Sequence, residues 1–150
     1  MKRKITDKLC EWKKQTKGRM PLLIYGARQV GKTWLMKEFG RTCFDNVAYV
    51  NFDSNARMKN VFDGEIDIPR IIMAISIETG MTIDSHNTLI IFDEIQEVPK
   101  ALSSLKYLRD GDFFLNIASV KNLVFNHQLA DNRSYGKYPY DEHVRYAFLP

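Results

Sequence analysis

Two short apolar runs interrupt an otherwise mixed chain, Leu22-Leu23-Ile24-Tyr25 after Pro21 and Leu89-Ile90-Ile91-Phe92 after Thr88. Both have the length and continuity of strands buried on two faces. A third run, Val47-Ala48-Tyr49-Val50-Asn51-Phe52, is rich in β-branched and aromatic residues and predicts another strand. Helical spacing appears between them. In residues 4–17, Ile5, Leu9 and Trp12 fall at i, i+4 and i+7, with Lys4, Lys8, Lys13 and Lys14 around the other sides, which predicts a helix docked by its apolar stripe. Residues 34–39 predict a second helix, with Gly40 as its stop. Asp67 and Pro69 open a third over residues 70–79, closed by Gly80, with Ile71, Ile72, Met73, Ile75 and Ile77 as core candidates. Residues 54–64 read as a surface connection with a short turn around Met58 to Phe62. The pattern predicts an α/β fold, a mostly parallel sheet flanked by helices.

Composition adds bounds. At 150 residues and 45% hydrophobic, the chain suits one domain with a modest core. No apolar run approaches the length of a membrane span and the start carries no signal-peptide pattern, so a cytoplasmic location without a membrane partner is expected. Cys10 and Cys43 form no CxxC pair, and His86, His127 and His143 have no metal-ligand spacing with them, so both cysteines are read as reduced and structural. The net charge of +4 is uneven: residues 1–41 hold 12 basic and 3 acidic side chains, 42–98 hold 3 and 10, and 99–150 hold 7 and 5. A basic first third suits nucleic acid or acidic lipid. Two of its charges belong to the motif described next, and many others fit a solvated helix face.

Between the first strand and the second helix lies Gly26-Ala27-Arg28-Gln29-Val30-Gly31-Lys32-Thr33, the phosphate-loop pattern in its required strand–loop–helix setting. By chance such a match arises in about one chain of this length in a few hundred. Gly26 and Gly31 let backbone N–H groups turn inward around a polyphosphate, and the helix N-terminus adds its positive dipole end. Lys32 is placed for the β and γ phosphates and Thr33 for Mg²⁺. The run ending in Phe92 carries Asp93-Glu94 at its C-terminal edge, where open α/β sheets bind ligands. Asp93 is read as the Mg²⁺ carboxylate and Glu94 as the group that orients and deprotonates water. Asp53, past the end of its strand, is either a turn former or a group near the nucleotide. No Asn-Lys-x-Asp guanine-reading motif occurs, and the Asp-Glu pair fits ATP hydrolysis better than small-molecule phosphorylation.

Residues 21–39, Asn51-Phe52-Asp53, Asp93-Glu94-Ile95-Gln96-Glu97-Val98-Pro99, Leu102 and Ser104-Leu105-Lys106-Tyr107-Leu108 resemble a bacterial and archaeal group of AAA-type ATPases. In that group the ATPase domain precedes a restriction-endonuclease-like domain. The resemblance covers about residues 1–110 and implies an additional-strand P-loop NTPase fold, ATP with Mg²⁺, and Gln96 as a polar group near the γ-phosphate.

Beyond residue 110 the pattern departs from that group. Residues 113–119 predict a fourth strand, in which Asn116 or Ser119 would stand in for the sensor, and residues 144–149 an added strand. Arg133 and Arg145 sit in no recognisable finger context. The expected organisation is an ATPase core over residues 1–118 and an irregular tail over 119–150, with the sheet incomplete at its C-terminal end. Two readings of that end stay open, a minimal ATPase domain and a shortened gene product, and the second is preferred. Function likewise keeps three readings: Mg²⁺-dependent ATP hydrolysis acting on an unidentified protein partner, an ATP-holding interaction module with negligible turnover, and nucleic-acid binding through the basic first third. Self-association is compatible with each.

Overall fold

The computed structural model describes residues 4–15, 19–110, 116–122 and 144–148. In chain order these form α1 (Lys4–Lys14), β1 (Leu22–Gly26), α2 (Lys32–Cys43), β2 (Asn46–Asn51), α3 (Ala56–Val61), α4 (Ile68–Thr79), β3 (Thr88–Asp93), a 3-10 turn (Ile95–Glu97), α5 (Pro99–Asp110), β4 (Asn116–Asn122) and β5 (Val144–Phe148). The strands make one sheet in the order β2-β3-β4-β1-β5. The first four run parallel, and β5 closes the edge antiparallel to β1.

Side chains alternate across a sheet, so each strand divides its residues between two cores. Leu22 and Ile24 of β1, Val47 and Tyr49 of β2, and Leu89 and Ile91 of β3 face α1 and α2, where they meet Ile5, Leu9, Trp12, Leu35, Met36 and Phe39. Leu23, Ala48, Val50, Ile90 and Phe92 face the other way, onto Met58, Phe62, Ile71, Ile75, Ile95, Leu105 and Leu108. The predicted stripe of α1 is fully buried, and the Trp12 indole donates to the Met20 carbonyl at 2.7 Å. Lys13 donates to the Cys43 carbonyl at the end of α2. Cys10 and Cys43 are free thiols, half-buried at the margin of that core.

Four expectations change. Gly40 does not stop α2, which runs on to Cys43. A Cβ there would sit 2.6 Å from Val47 Cγ2, so glycine is required for close approach of helix to strand. Helix α4 begins at Ile68, with the Asp67 carboxylate accepting from the Arg70 N–H at 3.3 Å. It buries Ile71 and Ile75, but leaves Met73 and Ile77 66% and 76% exposed, because a helix on a sheet buries only one side. The turn expected around Met58 is the short helix α3, anchored by buried Met58 and Phe62.

The fourth strand lies at Asn116–Asn122, between β3 and β1; residues 113–115 lie outside the described residues. The division drawn at 118/119 therefore falls inside a central strand. Residues 144–148 of the expected tail also join the sheet, whereas 123–143 lie outside the described residues. No helix among the described residues is long and apolar enough to cross a membrane.

Candidate functional site

The alternation that sorts the core also assembles the site. Continuing the α2-facing series by one step from Leu89 and Ile91 brings Asp93 to the end of β3 on the same side as α2. In the parallel register Asn51 stands beside Asp93 and Tyr49 beside Ile91. Thr33, in the first turn of α2, donates its hydroxyl to Asp93 Oδ2 at 2.8 Å. Tyr49 donates to the same oxygen at 2.6 Å, and the Glu94 N–H donates to Asp93 Oδ1 at 2.9 Å. The carboxylate is buried and both its oxygens are engaged. Burial, then the bond and charge of Asp93, hold the Tyr49 hydroxyl well above the ordinary tyrosine range, so it remains a donor.

Between β1 and α2 the loop makes a tight turn with two residues at positive φ, Gln29 at 61° and Gly31 at 83°. Gly31 occupies the N-cap of α2 without a side-chain cap, and the first intrahelical bond runs from Leu35 N–H to Gly31 O. The N–H groups of Lys32, Thr33 and Trp34 thus precede the helical ladder, where they suit an anion. Val30 packs on the α1/α2 core and ties the loop down. Lys32 is 4% exposed, and its ammonium donates to the Gly26 carbonyl at 3.1 Å and to that of Ala27. Burial lowers its pKa against the opposing pull of Glu94 and Asp93.

Glu94 follows Asp93 at φ 54°, a left-handed conformation that costs a non-glycine residue roughly 1–2 kcal/mol. That turn of the chain carries the Glu94 side chain to the wall of the cleft, where its carboxylate accepts from the Gln96 amide. Such strain is found where the surrounding structure fixes a working geometry.

The cleft has a volume of about 540 Å³ and is walled by Arg28, Gln29, Gly31, Lys32, Thr33, Trp34, Asp53 and Glu94. That volume lies within the range of small-molecule sites, roughly 300–1,000 Å³. Gly26, Ala27, Val30, Asp93 and Gln96 stand behind the wall: two supply carbonyls to Lys32, one anchors the loop, one holds Thr33 and one holds Glu94. Asp53 lines the cleft, and the turn there is made by Asn51, whose Oδ1 accepts from the Asp53 N–H at 2.9 Å.

Of the sensor candidates, Asn116 pairs with Leu89, four residues before Asp93 and about 13 Å along the strand, which removes it from the site edge. Ser119 pairs with Phe92, one position short of Asp93. Arg145 lies in β5 beside Tyr25, and Arg133 lies outside the described residues.

Two residues at the site were not singled out from the sequence. Tyr49 counted there only toward strand character, although its place two residues before Asn51 on the α2-facing series was a usable signal. Trp34 counts there only as one of the residues 34–39 that predict the second helix, yet it is 62% exposed and lines the cleft.

Comparison with curated proteins finds no significant match. A family model described as an AAA domain matches residues 18–134, a span that takes in the loop, the Asp93-Glu94 pair and the sheet from β1 to β4, and the chain belongs to that family.

Proposed function

We propose that the cleft binds ATP with Mg²⁺ and hydrolyses it, in a P-loop domain of the additional-strand class. Family membership implies a nucleotide-binding, ATPase-like domain. The finer assignment is supported by β4 standing between β1 and β3, an interposed strand separating the loop's strand from the carboxylate's. The observation that carries the reading is the 2.8 Å bond from Thr33 to Asp93, which joins the two motifs across 60 positions of sequence.

One hydroxyl and one carboxylate suit a hard cation that keeps several waters rather than one enclosed by protein, so the donor set fits Mg²⁺. Thr33 would ligate it directly and Asp93 through water, while Tyr49 and the Glu94 N–H hold the carboxylate in place. Bound there, Mg²⁺ supplies neutralisation of phosphate charge. The loop N–H groups and Lys32 surround the β and γ phosphates, with Lys32 exchanging its carbonyl partners for phosphate oxygens. Glu94 takes a proton from water aimed at the γ-phosphate, with Gln96 fixing its carboxylate.

Thermal unfolding with and without Mg·ATP tests binding. At a hundredfold excess over Kd the ligand stabilises the native state by about 2.7 kcal/mol, a rise of roughly 5–10 °C for a chain of this size. Lys32→Ala is expected to abolish that rise. Glu94→Gln is expected to keep it and to lose turnover on the order of 10²–10⁴-fold. Equal turnover in Glu94→Gln and wild type removes the base role, and binding without turnover in wild type makes the chain an ATP-holding interaction module.

A further inference from the structure

The nucleotide reading fixes where a triphosphate would sit but leaves its base without a partner. Trp34 supplies one. It directly follows Thr33 in the first turn of α2, so its indole emerges one residue beyond the phosphate anchor, on the wall of the same cleft. The other large apolar residues of α2, Leu35, Met36 and Phe39, are buried in the core, as the helix's inner face requires. Trp34 is instead 62% exposed and makes no aromatic, cation–π or hydrogen-bonded contact with any described residue. The chain's other tryptophan provides the contrast: Trp12 is buried against Phe39, with Arg19 over its ring and its N–H bonded to Met20.

We propose that Trp34 is the base platform of the cleft, a flat apolar surface on which the purine ring of the bound nucleotide stacks while its phosphates occupy the loop. This rests on the nucleotide-binding reading and deepens it. Stacking uses the ring face rather than its hydrogen-bonding edge, so it is tolerant of base identity. Trp34 therefore favours purines over pyrimidines by ring area and leaves adenine and guanine within a few-fold of each other.

The test compares Mg·ATP with Mg·tripolyphosphate, which has the phosphates and no base, by calorimetric titration of wild type, Trp34→Ala and Trp34→Phe. Trp34→Ala is expected to weaken ATP on the order of 5–150-fold and to leave tripolyphosphate unchanged, with Trp34→Phe keeping most of the ATP affinity. In wild type, ATP quenches the fluorescence of the exposed indole and tripolyphosphate does not, since Trp12 is shielded in the core. If wild type binds both ligands and Trp34→Ala weakens both alike or neither, the stacking role is overturned and the phosphate site stands. If wild type binds neither ligand, the nucleotide reading itself fails and takes the stacking role with it.

Discussion

The two faces of the sheet share their strands and differ in how those strands end. On the face covered by α3, α4 and α5, apolar side chains continue past the last strand residues: Val50 leads to Phe52 and Phe92 to Ile95, all buried, and Phe52, Phe62 and Phe92 pack ring against ring within 6.0 Å. On the face covered by α1 and α2, the apolar series gives way at the same edge, Leu89 and Ile91 to Asp93, Val47 to Tyr49 and Asn51. One face is sealed to its rim. The other opens there into hydrogen-bonding groups, at the point where the loop delivers the N-terminus of α2. Both faces carry a core, and a period of two in each strand is enough to place hydrogen-bonding groups at the rim of one alone, so substitutions at the two rims should separate into those that unfold the chain and those that empty the site.

Phe92→Ala is expected to give the largest effect. Removing one ring of the three-phenylalanine cluster, in which each ring contacts both others, should cost about 3–5 kcal/mol, read as a lowered denaturant midpoint. A loss below 1 kcal/mol would mean that the sealed face does not carry the fold. Gly40→Ala perturbs the other face through packing alone. Its Cβ would lie 2.6 Å from Val47 Cγ2 and 3.2 Å from Leu89 Cδ2, for an expected loss of about 1–3 kcal/mol. Adding Val47→Ala should recover part of that loss, which a purely local helix effect would not allow.

Tyr49→Phe sharpens the comparison most finely. It deletes one hydroxyl and leaves the ring beneath Lys37, whose ammonium sits 3.8 Å from the ring centroid. Asp93 keeps Thr33 and the Glu94 N–H, so the stability loss should be about 1–2 kcal/mol. Measured Mg²⁺ dependence of nucleotide binding should shift to higher concentration. An unchanged Mg²⁺ dependence would make the Tyr49 bond structural only.

Much of this was legible from local residues. Leu22–Tyr25 and Leu89–Phe92 had strand length and apolar continuity, Val47–Phe52 had β-branched and aromatic residues, and the Gly-rich loop and the Asp93-Glu94 pair stood out by their spacing. What stayed hidden depended on neighbours distant in sequence. Gly40 looks like a helix stop until Val47 is known to press on it. Met73 and Ile77 look like core because α4 is apolar on most sides, and only the sheet decides which side is covered. The position of β4 between β3 and β1, and so the distance of Asn116 from Asp93, is a matter of register that no residue within 116–122 announces.

Lys32 shows what the loop asks of an incoming anion. Its ammonium already has two acceptors, the carbonyls of Gly26 and Ala27, within a buried setting that weakens its hold on a proton. On the proposed reading, phosphate oxygens arriving there would enter a competition rather than fill a gap: two bonds to neutral carbonyls would be traded for bonds to charged oxygen, and the Lys32 amine would become the stronger base. Association at the loop would then be coupled to proton uptake in alkaline solution, and its heat is expected to vary with the ionisation enthalpy of the buffer.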